Sequence, residues 1–228
     1  MSVESPDVHR VETADGSTTL FSPRFDEHYH SIHGAVAESQ HVFIAAGLQP
    51  LLDQDSDQPL RLFEMGFGTG LNALLTALQP RIRPVHYLTI EAYPLDQSQW
   101  PSLNYCAHLQ HPACAELFRT LHEAPWGQPV EIEPRFTLEK HVLPLASFQI
   151  DEPVDLIYWD AFAPSAQPEL WTADVFRQVY AWLRPGGRWV TYSAKGDVRR
   201  ALQSVGFQVE RIPGPPGKRE MLRASKEM

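Results

Sequence analysis

The feature that most constrains the fold is one stretch, Glu64-Met65-Gly66-Phe67-Gly68-Thr69-Gly70-Leu71-Asn72. It follows the apolar run Leu60–Met65 and precedes a segment with helical spacing from about Leu71 to Leu78. Three glycines at alternate positions let the backbone turn tightly where a strand gives way to a helix. They also leave amide groups open to a ligand, with no Cβ in the way. The helix start offers N–H groups without intrahelical partners, which suits a carboxylate or phosphate. The spacing is G-x-G-x-G, not the dinucleotide pattern G-x-G-x-x-G. An acid two positions before the first glycine suits the cationic amino-acid end of S-adenosylmethionine. The loop's binding candidates are therefore Glu64, Gly66, Phe67, Gly68, Thr69, Gly70 and Asn72. A strand–helix turn with no ligand is the plain alternative.

The rest of the chain repeats the same alternation. His86–Glu91, Asp155–Asp160 and Arg188–Ser193 read as strands. Trp171–Leu183 reads as an amphipathic helix closed by Arg184-Pro185-Gly186-Gly187, and Asp197–Val205 as a helix stopped by Gly206. Two last strands, about 207–212 and 220–224, flank Pro213-Gly214-Pro215-Pro216-Gly217 and read as an antiparallel hairpin. Strands alternating with helices of this length predict an α/β fold, a parallel sheet with helices on both faces. Upstream lie a polar lead with a short hairpin at Asp15-Gly16 and a helix at about 35–47. Residues 100–135 carry five prolines, which predicts interrupted helices around Ala113–Leu121. A length of 228 residues suits a single domain.

Two acids stand where such a fold needs them. Glu91 ends the strand His86–Glu91, 21 positions after Gly70, near the ~20-residue offset of a ribose-binding carboxylate. Asp160 ends the strand Asp155–Asp160, at the sheet edge where open α/β folds place ligands.

Composition narrows the setting. With 43% hydrophobic residues the chain can build a core, which excludes a disordered tail protein. No apolar run approaches the ~18 residues of a membrane span, and the polar, acidic start does not read as a signal peptide. Two cysteines, Cys106 and Cys114, make no disulfide framework and are expected as inert thiols in a reducing compartment. The expectation is a soluble, cytoplasmic protein with no membrane partner. His28, His30 and His33 have a spacing that can hold zinc, but no nearby Cys or paired carboxylate completes a ligand set except Asp26 or Glu27, so no metal is expected. The net charge of −9 is uneven: from Arg184 onward ten basic residues face four acidic ones, a local +6, leaving −15 on residues 1–183. A basic edge on an acidic body marks a candidate surface for a polyanion.

Several blocks, in order, resemble one family. They are FSPRFDEHYHS, EMGFGTGLN, IEAYPL, WDAFAPSAQPELWTADVF, LRPGG, VRRALQSVGF and GPPGKREML, spanning Thr19 to about Ala224. The chain resembles the methyltransferase domain of MnmC proteins, which act in tRNA wobble-uridine modification. It departs from that family's pattern at Ala161, where Asp-Gly-Phe-Ala-Pro is usual, and at Gln167, where Asn precedes the proline. The resemblance implies a Rossmann-like class I S-adenosylmethionine methyltransferase fold with a mostly parallel seven-stranded sheet and a C-terminal antiparallel hairpin. Residues 1–59 would form an extension closing over the site, and 100–135 a helical insertion.

The implied reaction is methyl transfer from S-adenosyl-L-methionine to the exocyclic amine of 5-aminomethyl-2-thiouridine. Asp160 would receive the proton, and Glu139 is the nearest candidate for an adenine contact. Tyr29, Phe162, Trp171 and Tyr192 would line the pocket for the turned-out base, with Glu38 beside the cleft. Lys195, Arg199, Arg200, Lys218 and Arg219 would meet phosphates of the tRNA anticodon arm. The FAD-dependent oxidase domain of fused MnmC proteins has no counterpart here, so a separate oxidase or another source would supply the aminomethyl group. The alternatives are a methyltransferase or aminopropyltransferase acting on a small amine or a protein, and a non-catalytic tRNA-binding protein.

Overall fold

The computed structural model describes residues 7–54, 56–80 and 83–228. The chain opens with three short antiparallel strands, β1 (His9–Glu12), β2 (Thr18–Ser22) and β3 (Glu27–His28). The β1–β2 turn is closed by Asp15, whose Oδ1 accepts the Ser17 N–H at 2.9 Å, and by Gly16 at φ 82°. The hairpin expected at Asp15-Gly16 is present.

Next comes one helical segment made of α1 (Ala35–Ser39), a π-helical stretch (Gln40–Leu48) and α2 (Gln49–Leu52). It runs past the expected end near residue 47. Val42, Phe43, Ile44 and Leu48 are all buried, so this helix is apolar on more than one face and lies within the core. Where it crosses the sheet it has Gly47, at which a Cβ would sit 3.0 Å from Val190 and 3.3 Å from Tyr158.

The main sheet is built from β4 (Leu60–Met65), β5 (Val85–Glu91), β6 (Pro129–Glu133), β7 (Phe136–Val142), β8 (Val154–Trp159), β9 (Leu183–Thr191), β10 (Gln208–Pro213) and β11 (Glu220–Ser225). Its order is β10-β11-β9-β8-β4-β5-β7-β6. The inner pairs β7–β5, β5–β4, β4–β8 and β8–β9 are parallel, while β6–β7, β9–β11 and β10–β11 are antiparallel. The connecting helices are α3 (Leu71–Ala77), α4 (Tyr105–Leu109), α5 (Cys114–Glu123), α6 (Ala173–Trp182) and α7 (Gly196–Ser204). The C-terminal hairpin stands where expected. Both sheet faces are covered: Leu62, Tyr87 and Tyr158 pack on one side, and Phe63, Ile157, Trp159 and Trp189 on the other. Burial on both faces explains why the strands read as continuous apolar runs.

Four expectations are corrected. The main sheet has eight strands rather than seven, because β6 adds an antiparallel edge to β7 through a turn with Arg135 at φ 69°. Residues 100–135 are therefore helical only as far as α5. β6 was hidden because its alternation is short, Val130 and Ile132 among glutamates, and is bracketed by Pro129 and Pro134, which read as helix interruptions. Arg184-Pro185-Gly186-Gly187 is not a loop after a helix. It lies inside β9, where the register with β8 shifts between Val154 and Leu156, a bulge that absorbs the extra residues. The Gly186 N–H is bonded to the Lys226 carbonyl, so the chain end pairs with this stretch. Finally, Cys106 and Cys114 are joined in a disulfide between α4 and α5 rather than standing as free thiols. Among the described residues no helix is long and apolar enough to cross a membrane.

Candidate active site

The carboxyl ends of β4, β5 and β8 converge on a cleft of about 660 Å³, including the part open to solvent. Its floor is the loop between β4 and α3. Gly66, Gly68 and Gly70 have φ of 89°, 49° and 73°, values costly for residues with a Cβ. A Cβ on Gly68 would stand 3.3 Å from the Tyr29 ring, and one on Gly70 2.8 Å from Nε2 of His122. The glycines thus serve the turn and the close approach of two rings at once.

Three acids face this loop, Glu64 buried and Glu91 and Asp160 half-buried. Glu91 accepts the Gly68 N–H on Oε2 at 2.9 Å and the Tyr93 N–H on Oε1 at 2.8 Å. Asn72, in the first turn of α3, donates from Nδ2 to Glu64 at 3.1 Å and to Asp160 at 2.7 Å. Burial pushes the Glu64 carboxyl up to about 8, against the lowering effect of its bond from Asn72. Burial also raises Asp160 well above the carboxylate range, and the charges of Glu64 and Glu38 add to it. Glu91 is raised by burial as well. Such a cluster resists ionising together until positive charge enters the cleft.

The chemistry of this donor set fits S-adenosyl-L-methionine. Glu64 Oε2 and Asn72 Oδ1 are buried acceptors without a hydrogen bond among the described residues. Asn72 lines the cleft, where its acceptor suits the ammonium of an amino acid with Glu64 buried behind it, and Glu91 suits ribose hydroxyls.

Two histidines that sequence reasoning did not assign hold the loop from above. His30 Nε2 meets Thr69 Oγ1 at 2.7 Å, and His122 Nε2 meets the Thr69 carbonyl at 3.1 Å. A carbonyl only accepts, so His122 carries its proton on Nε2. Burial lowers His30 to about 4 and His122 to about 3, so both rings are neutral. His122 also stacks on Trp100 with centroids 4.5 Å apart. Lys140 fixes this end of α5 by donating to the carbonyls of Leu121 (2.7 Å) and His122 (3.0 Å). Burial lowers its ammonium to about 7. The sequence signal for His30 was the histidine run once weighed as a metal site; His122 had none.

The roof comes from the N-terminal segment. Phe25 stacks on Phe162 at 4.7 Å, and Tyr29 meets the same ring edge-on at 5.0 Å. Beyond these rings lies a second chamber of about 800 Å³, again counted with its open part. It is lined by Glu38, Ala161, Tyr192 and Lys218 among others, and it shares Tyr29 and Phe162 with the first. The segment between the chambers is pinned at two carbonyls: Tyr192 donates its O–H to Ala161 at 2.9 Å, and Trp171 donates Nε1–H to Phe162 at 2.9 Å.

Other expected residues fall differently. Trp171 is buried among Trp159 and Phe176, so it supports the wall and does not line it. Glu139 pairs in register with Leu88 at mid-strand and bonds His141 at 2.7 Å, away from the cleft. It stops short of the strand end, where ligand contacts arise. Lys195 and Arg219 line an exposed hollow beside Tyr192. Arg200 is paired with Asp197 on the surface of α7, and the Nε of Arg199 is buried, so neither lines that hollow. Lys218 is bound to Glu38 at 2.6 Å and lies over the Tyr192 ring at 4.1 Å, so it faces the second chamber.

The strand order β7-β5-β4-β8-β9-β11-β10, a glycine loop after the first parallel strand and acids at the next strand ends are the architecture of the class I S-adenosyl-L-methionine-dependent methyltransferase fold. A family described as S-adenosyl-L-methionine-dependent methyltransferase matches residues 140–227. Among curated relatives it is similar to the tRNA 5-methylaminomethyl-2-thiouridine biosynthesis bifunctional protein MnmC. It is 36% identical to the Magnetococcus marinus protein over 98% of this chain, and 34% identical to that of Cupriavidus necator over 90%. The chain spans about a third of the length of these relatives, 35% and 32% respectively. Among solved structures it is similar to MnmC2 from Aquifex aeolicus, with 26% identity and a TM-score of 0.78, covering 99% of this chain and 73% of that one. A spermidine synthase from Thermotoga maritima shares the fold alone, at 11% identity and TM-score 0.55 over 97% of this chain and 72% of that one.

Proposed function

We propose that this chain transfers a methyl group from S-adenosyl-L-methionine to the exocyclic amine of 5-aminomethyl-2-thiouridine at the tRNA wobble position, giving 5-methylaminomethyl-2-thiouridine. The observation that carries the reading is the meeting of two chambers at Tyr29, Ala161 and Phe162, with Asp160 on the first chamber's side of the junction, one chamber built for the cofactor and one walled by aromatic rings. The likeness to MnmC proteins over nearly the whole chain supports the substrate. Glu64, Asn72, Glu91 and the amides of Gly66, Phe67, Gly68, Thr69 and Gly70 would hold the cofactor. When bound, it supplies an electrophilic methyl group on a sulfonium.

The chain's own residues do the rest. An alkylammonium has no lone pair, so the substrate amine must be neutral when it attacks. Asp160 stands beside the junction and takes the proton that the amine gives up. Its carboxyl ionises more readily once the positive charge of the cofactor balances Glu64. The wobble base would be turned out of the anticodon stack and held by Tyr29, Phe162 and Tyr192. Phe25 and Tyr29 restrict water at the reacting atoms. Lys195 and Arg219 would meet phosphates of the anticodon arm. A tRNA substrate supports a cytoplasmic setting.

The test is incubation with S-adenosyl-L-methionine and tRNA carrying 5-aminomethyl-2-thiouridine, followed by nucleoside mass analysis. The expected product is heavier by one methylene. Unchanged nucleoside, or an aminopropyl adduct, would overturn the reading.

A further inference from the structure

The Glu38–Lys218 pair joins residues 180 positions apart, from α1 and from the loop between β10 and β11, across the second chamber. The Glu38 carboxylate is fixed: Oε1 accepts the Ser31 N–H at 2.9 Å and Oε2 accepts Lys218 Nζ at 2.6 Å. Its side chain is only 6% exposed, against 33% for Lys218. Each carboxylate oxygen keeps acceptor capacity, and the ammonium keeps two N–H groups beyond the one given to Glu38. A strong acceptor and a strong donor thus stand side by side, with Nζ 4.1 Å from the centre of the Tyr192 ring.

We infer that Glu38 and Lys218 read the Watson–Crick edge of the base, with Glu38 accepting N3–H and Lys218 donating to an adjoining carbonyl or thiocarbonyl. This rests on the proposed wobble-uridine substrate. A uracil ring offers acceptor, donor, acceptor along that edge, so the pair matches it with Lys218 on either side of N3. Cytosine has no N3–H, and its N3 lone pair would face the carboxylate. Sliding the ring by one position would restore a match for cytosine. It would also carry the substituent on C5 away from Asp160, where the amine has to be. Lys218 Nζ occupies the Tyr192 ring face, so the base has the chamber's other rings, Tyr29 and Phe162, to stack against. The loop that carries Lys218 is held to the N-terminal segment at two more points. The imidazole of His33 packs against Gly217, where a Cβ would overlap it, and His41 bonds the Pro213 carbonyl at 2.8 Å. The donor and acceptor are therefore set before substrate arrives.

The experiment compares methyl transfer to two anticodon stem-loops, one with 5-aminomethyluridine and one with its N3-methyl analogue, by wild-type, Glu38→Ala and Glu38→Gln proteins. A hydrogen bond to a charged group predicts that wild-type kcat/KM falls roughly ten- to hundred-fold or more on N3-methylation. In Glu38→Ala that ratio should shrink to within a few-fold, and Glu38→Gln, which keeps the volume, should give an intermediate value. A merely structural tie would lower activity on both substrates equally and leave the ratio unchanged. An unchanged ratio in folded variants would overturn the inference while the methyltransferase reading stands. Failure of the wild type on the unmethylated stem-loop would overturn that reading, and this inference with it. If Glu38→Ala does not fold, Glu38→Gln alone decides.

Discussion

Replacing Glu64 by Gln should change how the stability of the cofactor-free protein depends on pH. The side chain is 1% exposed, and Asn72 donates to its Oε1, a bond that glutamine can keep through its own carbonyl oxygen. Folding raises the carboxyl from 4.5 to about 8. A group that binds its proton more tightly when folded costs nothing below its unfolded value. It then destabilises progressively as pH rises through the window from 4.5 to about 8. At about 1.4 kcal/mol per tenfold change in proton affinity, the full cost is about 5 kcal/mol, a large share of a typical domain's stability. Urea unfolding of wild type and Glu64→Gln at pH 5 and pH 9 measures it. His30, His122 and Lys140 have lowered values, so their contributions rise with pH, but they cancel in the difference between the two proteins. Glu64→Gln should gain several kcal/mol over wild type on going from pH 5 to pH 9. S-adenosyl-L-methionine should close much of that gap by restoring the wild type. Parallel stability curves would refute the claim that this carboxylate is stored at a cost for a cationic ligand.

Asp160→Asn should lower kcat about 10²–10⁴-fold, the usual range for a lost proton acceptor, while calorimetry finds the cofactor still bound; normal turnover would remove Asp160 from that role. Gly68→Val should abolish cofactor binding, because its φ of 49° and the Tyr29 ring 3.3 Å from a Cβ leave no room for a branched side chain. Binding isotherms matching wild type would mean the loop does not cradle the ligand. Lys195→Ala together with Arg219→Ala should reduce the salt dependence of tRNA binding by roughly 1.5 in log–log slope, from ~0.7–0.9 per phosphate contact. An unaltered slope would take both off the interface. Cys106→Ser with Cys114→Ser should cost about 2–3 kcal/mol under oxidising conditions, the loop-closure value for eight residues of separation. The same pair should match reduced wild type, and equal stability in both conditions would mean that the bridge does not form in solution.

The glycine loop and the strand ends were legible because their physics is local. A strand that must turn at once into a helix leaves its glycines in order, and an acid at the end of an apolar run is conspicuous. Glu64, Glu91 and Asp160 were found in that way, and β4 begins and ends at the residues the pattern marks. Edge strand β6 was not legible, because its two alternating apolar residues, Val130 and Ile132, are too few to stand out between Pro129 and Pro134. Glu139 was misassigned because sequence position does not tell how far along its strand a residue sits. The five basic residues looked alike in sequence, yet packing sends them to different tasks. Arg200 meets Asp197, Lys218 meets Glu38, and Lys195 and Arg219 stay open to solvent.

By itself, the sequence determined the α/β alternation, the loop that can receive a ligand and the three acids around it. These follow from periodicity and from backbone freedom, both written residue by residue. Only the tertiary structure decided that His30 and His122 both grip Thr69, that Trp171 supports the wall without lining it, and that Cys106 reaches Cys114. It also set Glu38 against Lys218 from opposite ends of the chain. Contacts of that kind depend on which side chains a packed core leaves facing one another, and no local pattern in the chain records them.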